Sequence, residues 1–508
     1  MNKRQRHAMQ HRRREVGLVE YEAVIGLEVH AELCTASKVF CGCATTFGAP
    51  PNNQVCPVCL GLPGALPALN RRALEYAIAA GLALNCQIAS TCQFDRKQYY
   101  YPDLPKAYQI TQYHQPLCTG GCLEIMTKQG LKRVGITRIH LEEEAGKTVH
   151  AGSTGITGAQ YALIDYNRCG IPLIEIVSGP DLRFPEEAKL FLEKLRSILC
   201  YLGVSDGKME EGSLRCDANV SVRPVGEQAM GKRAEIKNLN SFRAVQAALA
   251  YEIRRQMELA ASGTPLAMEE ARAWDEQSGM TVYMRPKEQP HEYRYYPDPD
   301  LMPVVISSAW VEEIGRTIPE LPDAKYDRYT RQWGLASHDA WLIAAEQKLA
   351  AYFEAVVESF SGNPKTVSHW VLGEFSRLLN LEKTAIDAVK IRPRDFAVLL
   401  ERLAAGTVSG NTAKTVLETM FYTGQDPDTI IREQGLAQIS DVQQLQELVA
   451  AVLAAHPGPV ADYRAGKAKA FDYLVGQVMK ATRGRANPEV VRQILIAELV
   501  PAEKPAKQ

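Results

Sequence analysis

Up to about Pro303 the chain switches between two hydrophobic periods. Glu22 to Leu33 (EAVIGLEVHAEL) sends Glu28, His30 and Glu32 to one side of a strand and Leu27, Val29 and Ala31 to the other. Arg215, Asp217, Asn219, Ser221 and Arg223 alternate in the same way with Cys216, Ala218, Val220 and Val222, while Arg138, His140 and Glu142 run into Glu143 and Glu144. Between these strands, Pro185 to Leu202 carries apolar residues at 188, 191, 195, 198 and 202 and stops at Gly203. Ser241 to Ala261 repeats the pattern through Phe242, Val245, Leu249, Ile253 and Met257, so both segments read as amphipathic helices. The fold class predicted is α+β: a mostly antiparallel sheet whose apolar face is covered by helices and whose polar face is free for chemistry. Pro286 to Pro303, rich in proline and tyrosine, reads as an edge or linker. From Val304 the period is helical with no strand signal, and after Pro393 short helices alternate with Gly-Asn, Asp-Pro and Pro-Gly breaks.

The 508 residues exceed what one core supports, and the pattern divides them into a tail (1–19), a sheet domain (20–303), a helical domain (304–392) and a helical tail domain (393–508). Lys plus Arg (58) and Asp plus Glu (59) nearly cancel, so bulk charge selects no partner. No stretch approaches the ~18 apolar residues of a membrane span, which predicts no membrane partner and a cytoplasmic protein. Lys3, Arg4, Arg6, Arg12, Arg13 and Arg14 lead into no apolar segment and read as a disordered basic tail. An organelle leader is the alternative, although the tail is short and lacks serine. Between Arg464 and Arg485 the basic residues Lys467, Lys469, Lys480, Arg483 and Arg485 face one acid, Asp472, and suit either a nucleic-acid backbone or a solvated face.

All 12 cysteines lie at or before Cys216, and a chain of this size has no need of disulfides, so the thiols fit a reducing compartment. Cys41 and Cys43 precede Cys56 and Cys59 across a Gly-, Pro- and Asn-rich loop, a ribbon-like spacing that predicts a structural Zn²⁺ held by four thiolates, with Cys34 as a spare ligand. Cys118 and Cys122 read as a turn. Carboxylates and imidazole on rigid strands repel unless a cation or proton lies among them, so Glu28, His30 and Glu32 read as a metal or acid/base platform, with a solvated sheet face as the alternative. Glu142 and Glu143 can join them only if their strand bulges or ends. Arg96, Lys97, Lys106 and five tyrosines between Phe94 and Tyr113 add groups for phosphates. Gly146-Lys147-Thr148 imitates the end of a P-loop, but Leu141 stands where that motif needs glycine.

The motifs GLEVHAEL at 26, CPVCLGLPGALP at 56, FDRKQYYYPDLPKAYQI at 94, RIHLEEEAGK at 138, DYNRCGIPLIEI at 165, MEEGSLRCDANVSVR at 209, EIKNLNSF at 235 and HEYRYYPDPDL at 291 resemble the GatB family, the B subunits of the tRNA-dependent amidotransferase. SHWVLGEFSRLLN at 368 and GKAKAFDYLVGQVMKATRGRANP at 466 continue the likeness, which spans about Tyr21 to Leu499. The resemblance implies a cradle similar to the glutamine synthetase core, a helical domain and a tail domain contacting tRNA. It implies ATP-dependent conversion of misacylated Glu-tRNA(Gln) or Asp-tRNA(Asn) into Gln-tRNA(Gln) or Asn-tRNA(Asn) through an acyl phosphate. Glu28, His30, Glu142 and Glu143 look like its Mg²⁺ positions, and Glu211, Arg215, Asp217 and Asn219 like nucleotide and second-ion contacts. Lys106 opposite Glu143 resembles the charged pair at its ammonia-channel mouth. An amidase subunit and a small clamp-like subunit of the same amidotransferase are the implied partners, since this chain lacks an amidase signature. Glu144 and Glu32 depart from the Asp and Gln common at those positions. A ligase acting on a small molecule would have no use for the basic helical third, and a non-catalytic zinc-ribbon RNA module would leave the carboxylate strands without a role.

Overall fold

The computed structural model describes residues 19–151, 160–438, 442–482 and 485–499. The N-terminal basic tail and Arg483 lie outside them. The chain forms two compact units, divided between Leu321 and Pro322.

The strands of the first unit are β1 (Tyr21–Glu32), β2 (Gln87–Ile88), β3 (Thr91–Cys92), β4 (Asp95–Gln98), β5 (Tyr108–Thr111), β6 (Cys118–Thr127), β7 (Gly130–Glu143) and β8 (Lys147–Ala151). They continue with β9 (Tyr161–Asp165), β10 (Pro172–Ser178), β11 (Leu214–Pro224), β12 (Ala234–Lys237), β13 (Glu270–Asp275), β14 (Met280–Pro286), β15 (Tyr296–Pro297) and β16 (Val304–Val305). A 9-stranded sheet runs in the order β14-β13-β12-β11-β1-β10-β7-β6-β2, antiparallel except where β12 meets β13. Its inner face carries Leu27, Val29, Ile139, Leu141, Ile174, Ile176, Ala218 and Val220, all buried. Helices α1 (Arg71–Ala83), α2 (Pro185–Tyr201) and α3 (Phe242–Ala261) pack on that face against β7, β6 and β11. Helix α2 buries Ala188, Phe191, Leu195 and Ile198, the stripe its period predicts. Ser241 caps α3 by accepting the Ala244 amide at 3.0 Å.

Of the two readings of Pro286 to Pro303 the structure takes the edge: β15 is the outer strand of a three-stranded sheet and pairs with β4, while Arg96 donates to Asp298 and Asp300, each at 2.8 Å. Two expectations change. Val304 and Val305 pair with β3, and helix α4 (Ser308–Arg316) packs Trp310, Val311 and Ile314 on the first core, so the first unit extends past the expected break. Apolar residues at helical spacing cannot tell which core they will join. Cys118 and Cys122 lie in β6 rather than in a turn.

The second unit is helical. Tyr329, Phe353, Phe375 and Phe396 are buried in its first part. Leu445, Val449, Leu474, Val478, Val491 and Leu495 form a further cluster. Among the described residues no helix is long and apolar enough to cross a membrane.

Candidate active site

Antiparallel register sets facing residues side by side on one sheet face. His30 on β1 faces Glu175 on β10 and Arg215 on β11, and Glu175 in turn faces His140 on β7. One step along, Glu28 stands opposite Asp217, and Lys237 on β12 reaches Asp217 at 2.5 Å. The polar faces read in the sequence therefore meet as one wall across β7, β10, β1, β11 and β12.

At its centre, His30 Nε2 lies 3.3 Å from Glu175 and 3.6 Å from Glu142, while His140 Nε2 lies 3.5 and 3.6 Å from the same two carboxylates. One donor atom from each of His30, Glu142 and Glu175 falls within 4.8 Å of the others, a set that suits a divalent cation. Burial opposes charge on His30, but the Glu175 hydrogen bond and the charges of Glu175 and Glu142 outweigh it and raise its pKa. Burial likewise works against the carboxylates, yet the two histidines hold Glu142 below the ordinary range and Glu175 well below it. The charge gathered by Glu142 and Glu175 is of the kind that a cation among these side chains would balance. Glu28 is different: burial pushes its pKa up, although Lys287 pulls the other way and Asn219 donates to it at 3.0 Å.

Glu175 was not singled out from the sequence, because it sits alone among Leu173, Ile174 and Ile176 in an otherwise apolar run. Only its register with His30 and His140 shows its role. Glu143 is the converse correction. β7 keeps its regular register with β10 through Glu142 and Glu143, so the two side chains leave on opposite faces and Glu143 does not join His30 and Glu142. Its carboxylate instead pairs with Lys106 and accepts the Ile110 amide at 2.8 Å. Glu144 returns to the wall and pairs with Arg215 and, at 3.8 Å, Arg168.

The wall closes one side of a cleft of about 560 Å³. Glu28, His30, Glu142, Glu175, Arg215 and Asp217 line it, with Lys97, Arg138, Arg233, Lys237, Arg285 and Lys287 as cations and Tyr99, Tyr113, Tyr293 and Tyr295 as aromatic walls. This volume is ordinary for a small-molecule site. Arg96, turned away from the cleft by strand alternation, is spent on Asp298. Asn219 reaches the site through Glu28. Glu211 does not: it lies in the turn before β11, paired with Lys208 at 2.9 Å, because the alternation begins only at Leu214.

Behind Glu143 lies a second, small cavity of about 120 Å³, lined by Lys38, Cys41, Cys59, Lys106, Tyr108 and Glu143 among others. Gly61 has φ +66°, and a Cβ there would collide with the Lys106 side chain, so glycine is needed for the lysine to pass. Beside it the Sγ atoms of Cys41, Cys43, Cys56 and Cys59 all lie within 4.8 Å of one another. This four-cysteine cluster is compatible with a zinc site. Hydrogen bonding from Cys41 lowers the Cys59 pKa to about 4 even against burial, while burial raises Cys43 to about 11. Cys34 stands apart as an exposed thiol and is not in the cluster. Cys56→Ser with Cys59→Ser is expected to abolish binding of one zinc per chain and to cost several kcal/mol of apparent stability. Metal analysis beside a melting curve checks both.

In the second unit Lys469 and Lys480 are exposed at opposite ends of one helix (Lys469–Ala481). Lys467 pairs with Asp462 at 2.9 Å, and Asp472 with Arg492 at 3.0 Å. Arg485 donates to the carbonyls of Thr482 and Gly435, at 3.2 and 3.3 Å, and so helps to hold the fold.

A charged wall of this kind on an antiparallel sheet is the setting in which the chain matches the family described as the GatB/GatE catalytic domain, over residues 23–312, and the GatB domain, over 351–499. It is 56% identical to the B subunit of the aspartyl/glutamyl-tRNA(Asn/Gln) amidotransferase of Carboxydothermus hydrogenoformans, across 94% of this chain and 98% of that protein. The same subunit of Caldanaerobacter subterraneus is 54% identical (95% and 100% covered), and that of Moorella thermoacetica 55% (94% and 99%). The chain belongs to the GatB family of amidotransferase subunits.

Proposed function

We propose that this chain is the transamidating subunit that converts misacylated Glu-tRNA(Gln) and Asp-tRNA(Asn) into Gln-tRNA(Gln) and Asn-tRNA(Asn), as a ligase that takes its nitrogen from glutamine. The observation that carries the reading is the convergence of His30, Glu142 and Glu175 from three adjacent strands, in a family member whose relatives are named for this substrate. Ammonia cannot expel oxide from a carboxylate. The side-chain carboxylate on the tRNA therefore attacks the γ-phosphorus of ATP, the bond to ADP breaks, and ammonia then attacks the acyl carbon as phosphate leaves.

His30, Glu142 and Glu175 would hold Mg²⁺, which supplies charge neutralisation during phosphoryl transfer. Glu28 and Asp217 suit a second ion or the nucleotide; Lys97, Arg138 and Arg215 face the cleft as phosphate partners. The antiparallel wall supports a cradle like the glutamine synthetase core, and a structural zinc in the cysteine cluster completes the set. The ammonia comes from the amidase subunit, assembled with the small clamp-like subunit, in the cytoplasm. The Lys106–Glu143 pair over the small cavity suits the mouth of that supply route. Lys106→Met is expected to lower glutamine-dependent amidation at least tenfold while leaving ATP affinity near normal. Glutamine- and ammonium-supported rates, measured side by side, check this, since added ammonium restores part of the rate only if delivery was lost.

The first test is independent of the cysteines and direct: formation of ADP by the assembled complex, with and without misacylated tRNA. Helices beyond residue 442, with Lys469 and Lys480 exposed, suit tRNA phosphates.

A further inference from the structure

We propose that Lys38 is the built-in charge partner of the cysteine metal site and fixes Cys59 as its anchoring ligand, an inference that rests on the zinc reading of that cluster. Lys38 is fully buried, at 0% exposure, and no carboxylate among the described residues pairs with it. Its ammonium donates to Cys59 Sγ at 3.6 Å and to the Tyr166 carbonyl at 3.4 Å. A fully buried ammonium whose contacts are one carbonyl and one sulfur is costly, so its position needs a counter-charge on the sulfur side. Four thiolates around one divalent ion carry a net double negative charge and supply it.

The surroundings are built for this contact. Cys59 is the one buried member of the four and also accepts the Cys56 amide at 3.2 Å. Gly170, whose φ of +80° favours glycine, packs at ordinary van der Waals distance from both groups: a Cβ there would lie 3.5 Å from Lys38 Cδ and 3.6 Å from the Cys59 Cβ. The same lysine ties the cysteine segment to the loop that enters β10, the strand bearing Glu175. That loop is also clamped to the ribbon by Tyr166 N–H to Asn52 Oδ1 at 2.8 Å and by Gln54 N–H to Asn167 Oδ1 at 2.8 Å. Lys38 is thus a positioning residue, acting through Cys59 and the loop.

The test measures zinc affinity of the full-length chain by competition with a chromophoric chelator, beside melting of the metal-free and zinc-loaded forms. Outer partners of metal ligands are typically worth 10–100-fold in affinity, so Lys38→Met is expected to weaken zinc by roughly that factor and Lys38→Arg by much less. A packing role alone would lower both melting temperatures equally and leave affinity within about twofold of wild type, which would overturn the proposal. If Lys38→Met is recovered only unfolded, a folded Lys38→Arg with near wild-type affinity sustains it, and an unfolded Lys38→Arg overturns it. Wild-type chain that binds no zinc would instead remove the reading of the cysteines itself.

Discussion

Glu175→Gln is expected to cut amide formation on misacylated tRNA at least about a hundredfold while glutamine hydrolysis by the partner subunit continues. The substitution keeps size and removes the charge that two histidines and Glu142 surround. A group that stabilises charge only in the transition state lowers kcat and kcat/KM together. Glu142→Gln and His30→Ala should behave alike, because the three act on one centre and their effects will not add. Glu211→Gln is the internal control: paired with Lys208 away from the cleft, it should leave the rate within about twofold of wild type. Product amide on tRNA and glutamate release, measured in one reaction, separate these outcomes.

The sheet face was legible because alternation in a strand is unambiguous once one side is apolar. Glu28 with His30, Arg215 with Asp217, and His140 with Glu142 were therefore each placed on the polar face of their own strand, and the register then set those faces side by side. Glu143 shows the cost of setting that rule aside: period two already sent it away from Glu142 unless the strand bulged or ended, and only the family resemblance joined them. Glu175 stayed hidden for the opposite reason, and with it the partner that His140, already on the Glu142 face of its strand, would meet. It needed the pairing of strands far apart in the sequence, which periodicity within one strand does not contain. Tyr293 and Tyr295 were hidden by a proline-rich segment that reads as an edge or linker and says nothing of the cleft until β15 pairs with β4.

Removing residues 442–508 is expected to raise KM for misacylated tRNA strongly, to reduce the salt dependence of tRNA binding, and to leave ATP affinity unchanged. The cut belongs there and not at Pro393. Phe396, Leu399 and Leu400 are buried in the second unit, and the helix that carries them packs against Gln347–Ser359, so a cut before them would expose that core. The residues after 442 have their own cluster around Leu445, Leu474 and Leu495. Lys469→Glu with Lys480→Glu should reproduce part of the effect, since both side chains are exposed, whereas Arg485→Ala should mainly lower stability. Gel filtration of the truncated complex before tRNA is added distinguishes lost tRNA contacts from lost docking between subunits.

The central claim, that this wall phosphorylates a carboxylate carried on tRNA, is tested most directly by ADP release from the assembled complex. Misacylated tRNA should stimulate release many-fold, uncharged tRNA should not, and Glu175→Gln should abolish the stimulation. ATP turnover that is the same with and without misacylated tRNA, or that survives in Glu175→Gln, would contradict it.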